Sequence, residues 1–179
     1  MQERLAELHA RYRAKVSLIG WSLGGVFARE MARRAPAQVR SVITLGSPFA
    51  GAPKASNAWK LYERASQRSV EDWPDRERMK TAPPVPSSAI FSRSDGIVAW
   101  QGCLEREGPT AENIEVEGSH CGLGHNPTVL YAIADRLAQP EGAWRRFDRS
   151  GLKGLIYPDP HRPGSGSATA RTRTAAPAL

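Results

Sequence analysis

Long apolar runs are missing from this sequence. No stretch approaches the roughly 18 apolar residues that a membrane-crossing helix needs, so no span is expected. Cysteine is scarce. Cys103 and Cys121 are the only two, too few for a disulfide framework. The start, Met1-Gln2-Glu3-Arg4, is charged and has no apolar run with a small-residue cleavage site behind it, so it does not read as a secretory signal. As given, the chain reads as cytoplasmic. No internal repeat is visible. Positive charge is not scarce, with a formal net charge of +7, but it is not concentrated. Residues 140–179 carry seven basic against three acidic side chains. No basic patch interleaves with aromatics, which argues against a nucleic-acid partner.

What is present is one domain's length, 179 residues, with strands and helices in alternation. Residues 2–13 read as a helix with Leu5, Leu8 and Tyr12 on one face. Lys15 to Ile19 is a short apolar run ending at Gly20, a buried strand by composition. Leu23 to Ala35 follows as an amphipathic helix. Leu23, Phe27 and Met31 lie on its apolar side with Ala28 and Ala32, Arg29, Arg33 and Arg34 lie on its polar side, and Pro36 stops it. Val39 to Leu45 is a second strand, Ser88 to Ser92 a third and Asn113 to Val116 a fourth. Asn126 caps a last helix with Pro127 in its first turn, and Val129, Ile133 and Leu137 on its buried face. Residues 50–86, holding Trp59, Tyr62 and Trp73, read as a helical cap inserted over one end of the sheet. The predicted fold is α/β, a mostly parallel sheet flanked by helices. The domain runs over 1–157, and 158–179 is expected to be a disordered tail.

The chemistry starts at Gly20-Trp21-Ser22-Leu23-Gly24. A serine hydroxyl is a weak nucleophile until a base takes its proton. Gly-x-Ser-x-Gly places that hydroxyl on a sharp strand-to-helix turn. Alone the pattern is cheap: at about 7% usage per residue it arises by chance in roughly one chain in 20 of this length. The context raises its value, because an apolar strand precedes Gly20 and an amphipathic helix follows Ser22. The helix start aims backbone N–H groups at this spot, and the Leu23 N–H is the natural first oxyanion donor. Asp95 follows the third strand and precedes Gly96, at the sheet edge where sites form. An Asp-Gly pair is also an ordinary turn, so Asp95 gains weight only once Ser22 is accepted. Asp72, Asp75 and Glu117 are weaker candidates. Of four histidines, His9 lies in the first helix and His161 in the tail. His120, just after the fourth strand, is the better base, and His125 beside the last helix the poorer one. Cys103, Cys121, His120 and His125 fit no standard zinc spacing, so no metal is expected.

Taken with Val42-Ile43-Thr44-Leu45-Gly46-Ser47-Pro48, Ser92-Arg93-Ser94-Asp95-Gly96 and Gly118-Ser119-His120, these residues resemble the α/β-hydrolase superfamily, in its bacterial lipase/esterase-like branch. The resemblance spans 15–137. It implies Ser22, Asp95 and His120 as a triad in the family's own chain order, an acyl-enzyme route to ester hydrolysis and no cofactor. It implies a small ester or lipid-like substrate held near Trp21, Ser47 and Pro48, under a cap formed by 50–86. The cap's aromatics serve equally well as packing. One departure stands out. The family has further strands before the nucleophile strand, and a loop after one of them gives a second oxyanion N–H. Nothing like that loop lies in the 14 residues before Lys15. The chain is therefore expected to be N-terminally truncated relative to the family. An impaired remnant and an acyltransferase are the alternatives to an active hydrolase. If Asp95 meets His120, Cys103 and Cys121 become candidates for a bridge between their loops. Such a bridge would imply export, with a leader upstream.

Overall fold

The computed structural model describes residues 1–50 and 76–163. Most of the expected cap, with Trp59, Tyr62 and Trp73, lies outside the described residues. So does the tail from 164 onward.

Four strands form one parallel sheet in chain order: β1 (Val16–Trp21), β2 (Val39–Leu45), β3 (Ser87–Phe91) and β4 (Ala111–Glu115). The helices are α1 (Gln2–Tyr12), α2 (Leu23–Arg34), α3 (Arg76–Lys80), α4 (Pro127–Ala138) and α5 (Lys153–Ile156). Every predicted strand and each of the three predicted helices outside the cap lies within two residues of its expected place. The short α5 had no periodic signal to announce it.

Two faces of the sheet carry two apolar layers. Ile43, Leu45, Ile90 and Ile114 pack with Val129 and Ala132 of α4, and with Phe147 and Tyr157 beyond it. Val39 and Val42 pack with Ala28 and Ala32 of α2 and with Leu5 of α1. Because side chains alternate along a strand, Ile43 and Leu45, two apart on β2, point to one face, which packs on α4. Asn126 caps α4 as expected, its side chain accepting from the Thr128 N–H at 2.9 Å.

Three expectations fail in instructive ways. β1 is not a buried strand. It is the sheet's edge, and Ile19 is 47% exposed because no strand among the described residues covers its outer side. α2 keeps only part of its predicted face: Ala28 and Ala32 are buried and Leu23 and Met31 pack against the core, but Phe27 and Arg29 exchange places. Phe27 is 42% exposed, whereas Gly25, Val26, Ala28, Arg29 and Ala32 are buried. Small residues at 25, 28 and 32 let the helix lie close to the strands, and close approach outweighs side-chain size. Arg29 is buried in consequence. Its guanidinium is ion-paired with buried Glu105 and donates to the carbonyls of Met79 (3.1 Å) and Thr81 (2.9 Å). It also lies 3.7 Å above the Phe49 ring.

The third failure is the tail boundary at 158. Residues 158–163 are docked, with Pro160 buried and Arg162 paired to Glu115 and Glu117. The stretch 143–163 folds back over β4, so all five residues of this last strand are buried. Its carboxylates are answered there. Glu112 accepts from the Phe147 N–H at 2.6 Å, from Ser88 Oγ at 2.7 Å and from Arg136 at 2.8 Å.

Candidate active site

In a parallel sheet all strand C-termini meet at one edge, so residues that follow different strands converge there. Ser22 follows β1, Gly46 follows β2, Asp95 comes four residues after β3 and His120 five after β4.

Ser22 occupies a strained backbone, φ 52° and ψ −126°. Such a conformation costs a non-glycine residue on the order of 1–3 kcal/mol. Packing enforces it. The Ser22 N–H donates to the Leu45 carbonyl at 2.8 Å, and its own carbonyl accepts from Gly25 N–H at 3.1 Å. A Cβ on Gly20 would lie 2.4 Å from both the Gly24 oxygen and the Gly25 Cα. One on Gly25 would lie 2.1 Å from Ser47 Oγ. A Cβ on Gly24 would meet nothing within 4 Å. The glycines that the turn requires are therefore Gly20 and Gly25; Gly24, although part of the sequence motif, is sterically free.

Asp95 and His120 are 4% exposed each, with 2.7 Å between Oδ2 and Nδ1. The other carboxylate oxygen of Asp95 accepts from the N–H groups of Ile97 (3.0 Å) and Val98 (2.6 Å), so the carboxylate cannot swing away. Gly96 makes that turn at φ 76°. The His120 N–H donates to the Asp95 carbonyl at 2.9 Å, joining the two loops a second time. Gly46, between them, is a residue the sequence reading passed over. Its φ is +52°, and a Cβ there would lie 2.9 Å from Asp95 Oδ2 and 3.3 Å from His120 Nδ1. The signal was present: a glycine directly after a strand, in the stretch read for Ser47 and Pro48.

Trp21 lies against the imidazole, with ring centroids 5.4 Å apart, and its indole N–H donates to the His120 carbonyl at 3.1 Å. Ser22's neighbour thus touches His120 directly. Among the described residues no hydrogen bond joins the Ser22 hydroxyl to the imidazole in this conformation. Leu23 opens α2, and the first N–H groups of a helix have no acceptor within it. His125 ends a short turn after His120, its N–H bonded to the Gly122 carbonyl.

Two predicted site assignments are corrected. Ser47 is 1% exposed, and its hydroxyl donates to the carbonyls of Gly20 and Leu45, both at 3.3 Å. It buttresses the turn under Ser22 and presents nothing to a substrate. Pro48 beside it is half-buried. The candidate Cys103–Cys121 bridge is not formed: both thiols are free. Cys103 is packed with Phe91 and Val98, where burial pushes its thiol pKa far up, and Cys121 is at the surface.

The fold has parallels among solved structures. A hydrolase from Pseudomonas aeruginosa PA01 superposes with a TM-score of 0.54 at 14% identity, over 77% of this chain and 71% of that one. A monoacylglycerol lipase from Paleococcus ferrophilus gives 0.51 at 18% identity, over 75% and 72%. An alpha/beta hydrolase from a lagoon-sediment metagenome gives 0.50 at 17%, over 75% and 66%. This chain has the α/β-hydrolase fold. The model of the palmitoyl protein thioesterase family, which lies in the same fold class, matches residues 1–83, the segment that carries Ser22. No curated protein matches the sequence. Among the described residues, no helix is long and apolar enough to cross a membrane.

Proposed function

We propose that this chain hydrolyses carboxylic esters, oxygen or thioester, of a small or lipid-like acyl substrate through a covalent acyl-serine. The observation that carries the reading is the buried Asp95–His120 pair, 2.7 Å apart, with Trp21, next in sequence to the strained Ser22, lying against the imidazole. In this reading Ser22 Oγ attacks the acyl carbonyl while His120 takes its proton through the nitrogen that Asp95 does not hold. Asp95 fixes the tautomer and stabilises the imidazolium as it forms. The Leu23 N–H receives the oxyanion. Proton return to the leaving group frees the alcohol or thiol, and water then releases the acid by the same steps reversed. The likeness to a monoacylglycerol lipase and to the palmitoyl protein thioesterase family supports the acyl class.

Among the described residues no strand pairs with the outer side of β1, which favours one rival, an impaired relative that binds without turnover. The test is a fluorophosphonate probe on the folded protein, read by intact mass, with Ser22→Ala alongside. One adduct on the parent and none on the variant is expected. No adduct on a folded parent would overturn the hydrolase reading and leave the impaired relative. Product analysis with p-nitrophenyl butyrate and palmitoyl-CoA, with and without an alcohol acceptor, then separates hydrolysis from acyl transfer.

A further inference from the structure

Beside the acid and base loops lies a cluster of charges that the proposed chemistry does not use. Glu115, the last residue of β4, is wholly buried. One of its oxygens accepts from Arg93 Nε at 3.0 Å, and the other accepts from Arg162 Nε at 3.1 Å and from Arg162 Nη2. Arg93 is two residues before Asp95. Its Nη2 donates to the carbonyls of Arg162 (2.8 Å) and Pro160 (3.3 Å), and its guanidinium lies 4.1 Å from the centroid of the Trp100 ring. Its Nη1 is buried with no partner among the described residues. Arg162 also reaches Glu117 at 3.3 Å, and Glu117 accepts from Ser94 Oγ at the same distance. The two loops are joined from within as well, since the Gly118 N–H donates to Ser92 Oγ at 3.2 Å.

We infer that residues 158–163 form a clasp on these loops, and that Arg162 is a positioning residue for the Asp95–His120 pair. The inference rests on reading Asp95 and His120 as acid and base. The argument is one of valence. A buried carboxylate needs both oxygens answered, and Arg93 answers only one of them. Among the described residues Arg162 alone answers the other. Without Arg162, Glu115 draws the Arg93 guanidinium toward its free oxygen. Arg93 already carries one unsatisfied nitrogen and so has every reason to turn. Turning takes it off the Trp100 face and loosens the segment that leads to Asp95, two residues on. The clasp thus holds the carboxylate at the place where it meets Nδ1.

The clasp is tested with Arg162→Ala, which removes a side chain 43% exposed and spares the core, and with Arg162→Lys, which keeps the charge. Two readouts are used. The first is the downfield proton resonance of the imidazole Nδ1–H, assigned by its loss in His120→Gln. The second is the rate of phosphonylation of Ser22. In Arg162→Ala the resonance is expected to shift or broaden and the rate to fall about tenfold, as a sub-ångström displacement of a catalytic group does. Saturation by the probe should be unchanged, and Lys should restore part of the loss. An unmoved resonance would overturn the clasp, even if the melting temperature fell, because the role would then be structural only. If the parent takes no adduct but its resonance moves with Arg162, the clasp stands and the hydrolase reading falls.

Discussion

Gly46→Ala is the most searching single substitution this site permits. The new Cβ would lie 2.8 Å from Leu123 Cδ1, 2.9 Å from Asp95 Oδ2 and 3.3 Å from His120 Nδ1. Relief must come from one of these, and Leu123 is fully buried in the α4-side core. The push therefore falls on the Asp95–His120 pair, and the Asp95 oxygen that is crowded is the one bonded to the imidazole. The stability cost has two parts. A left-handed φ costs an alanine roughly 1–2 kcal/mol, and overpacking adds about 1–3 kcal/mol. A loss of about 2–5 kcal/mol is therefore expected in urea unfolding. Reactivity should suffer more. A misplacement of about 1 Å can cost on the order of 100-fold, so phosphonylation of Ser22 should slow by about that factor in protein that remains folded. Gly142→Ala is the control. Its φ is +80° and nothing lies within 4 Å of its Cβ, so it carries the backbone strain without the crowding. It should lose about 1–2 kcal/mol and no reactivity. Parental labelling in Gly46→Ala, or an equal loss in Gly142→Ala, would refute the reasoning.

Three further outcomes follow from the same packing. Gly24→Ala should fold and label like the parent, with stability unchanged or raised by up to about 1 kcal/mol, whereas Gly25→Ala should fail to hold the turn; expression, melting temperature and labelling of the pair decide this. Arg29→Met should destabilise by about 3–5 kcal/mol because Glu105 is left buried without its ion-pair partner, and the double variant Arg29→Met/Glu105→Gln should recover part of that loss in chemical denaturation. A thiol reagent should titrate Cys121 alone in the native protein and both cysteines after unfolding, without any reductant. Two native titrations, or none, would contradict the burial of Cys103 and the absence of a bridge.

Much of this protein was decided locally. The alternation of β-branched runs with amphipathic segments was enough to place four strands and the helices between them. These signals lie within ten or so neighbouring residues and need no partner to be read. The order Ser22, Asp95, His120 was legible for the same reason, as each residue sits just past a strand whose end the sequence marks with glycine. What only the tertiary structure decided depends on contacts between distant segments. Which face of α2 turns inward was set by Gly25 meeting Ser47 across the sheet edge, and that meeting buries Arg29 against Glu105, 76 positions away. Ser47 became a buttress because the pairing of β1 with β2 sets the Gly20 carbonyl, 27 positions away, beside its hydroxyl. Gly46 matters because the strand order brings the loops after β3 and β4 against the end of β2. The 158–163 stretch has a polar, proline-rich composition that reads as a tail, yet it docks, because Glu115 is buried on the last strand and requires its charge. Composition reports what a segment can do alone; only the fold reports which buried charge is waiting for it.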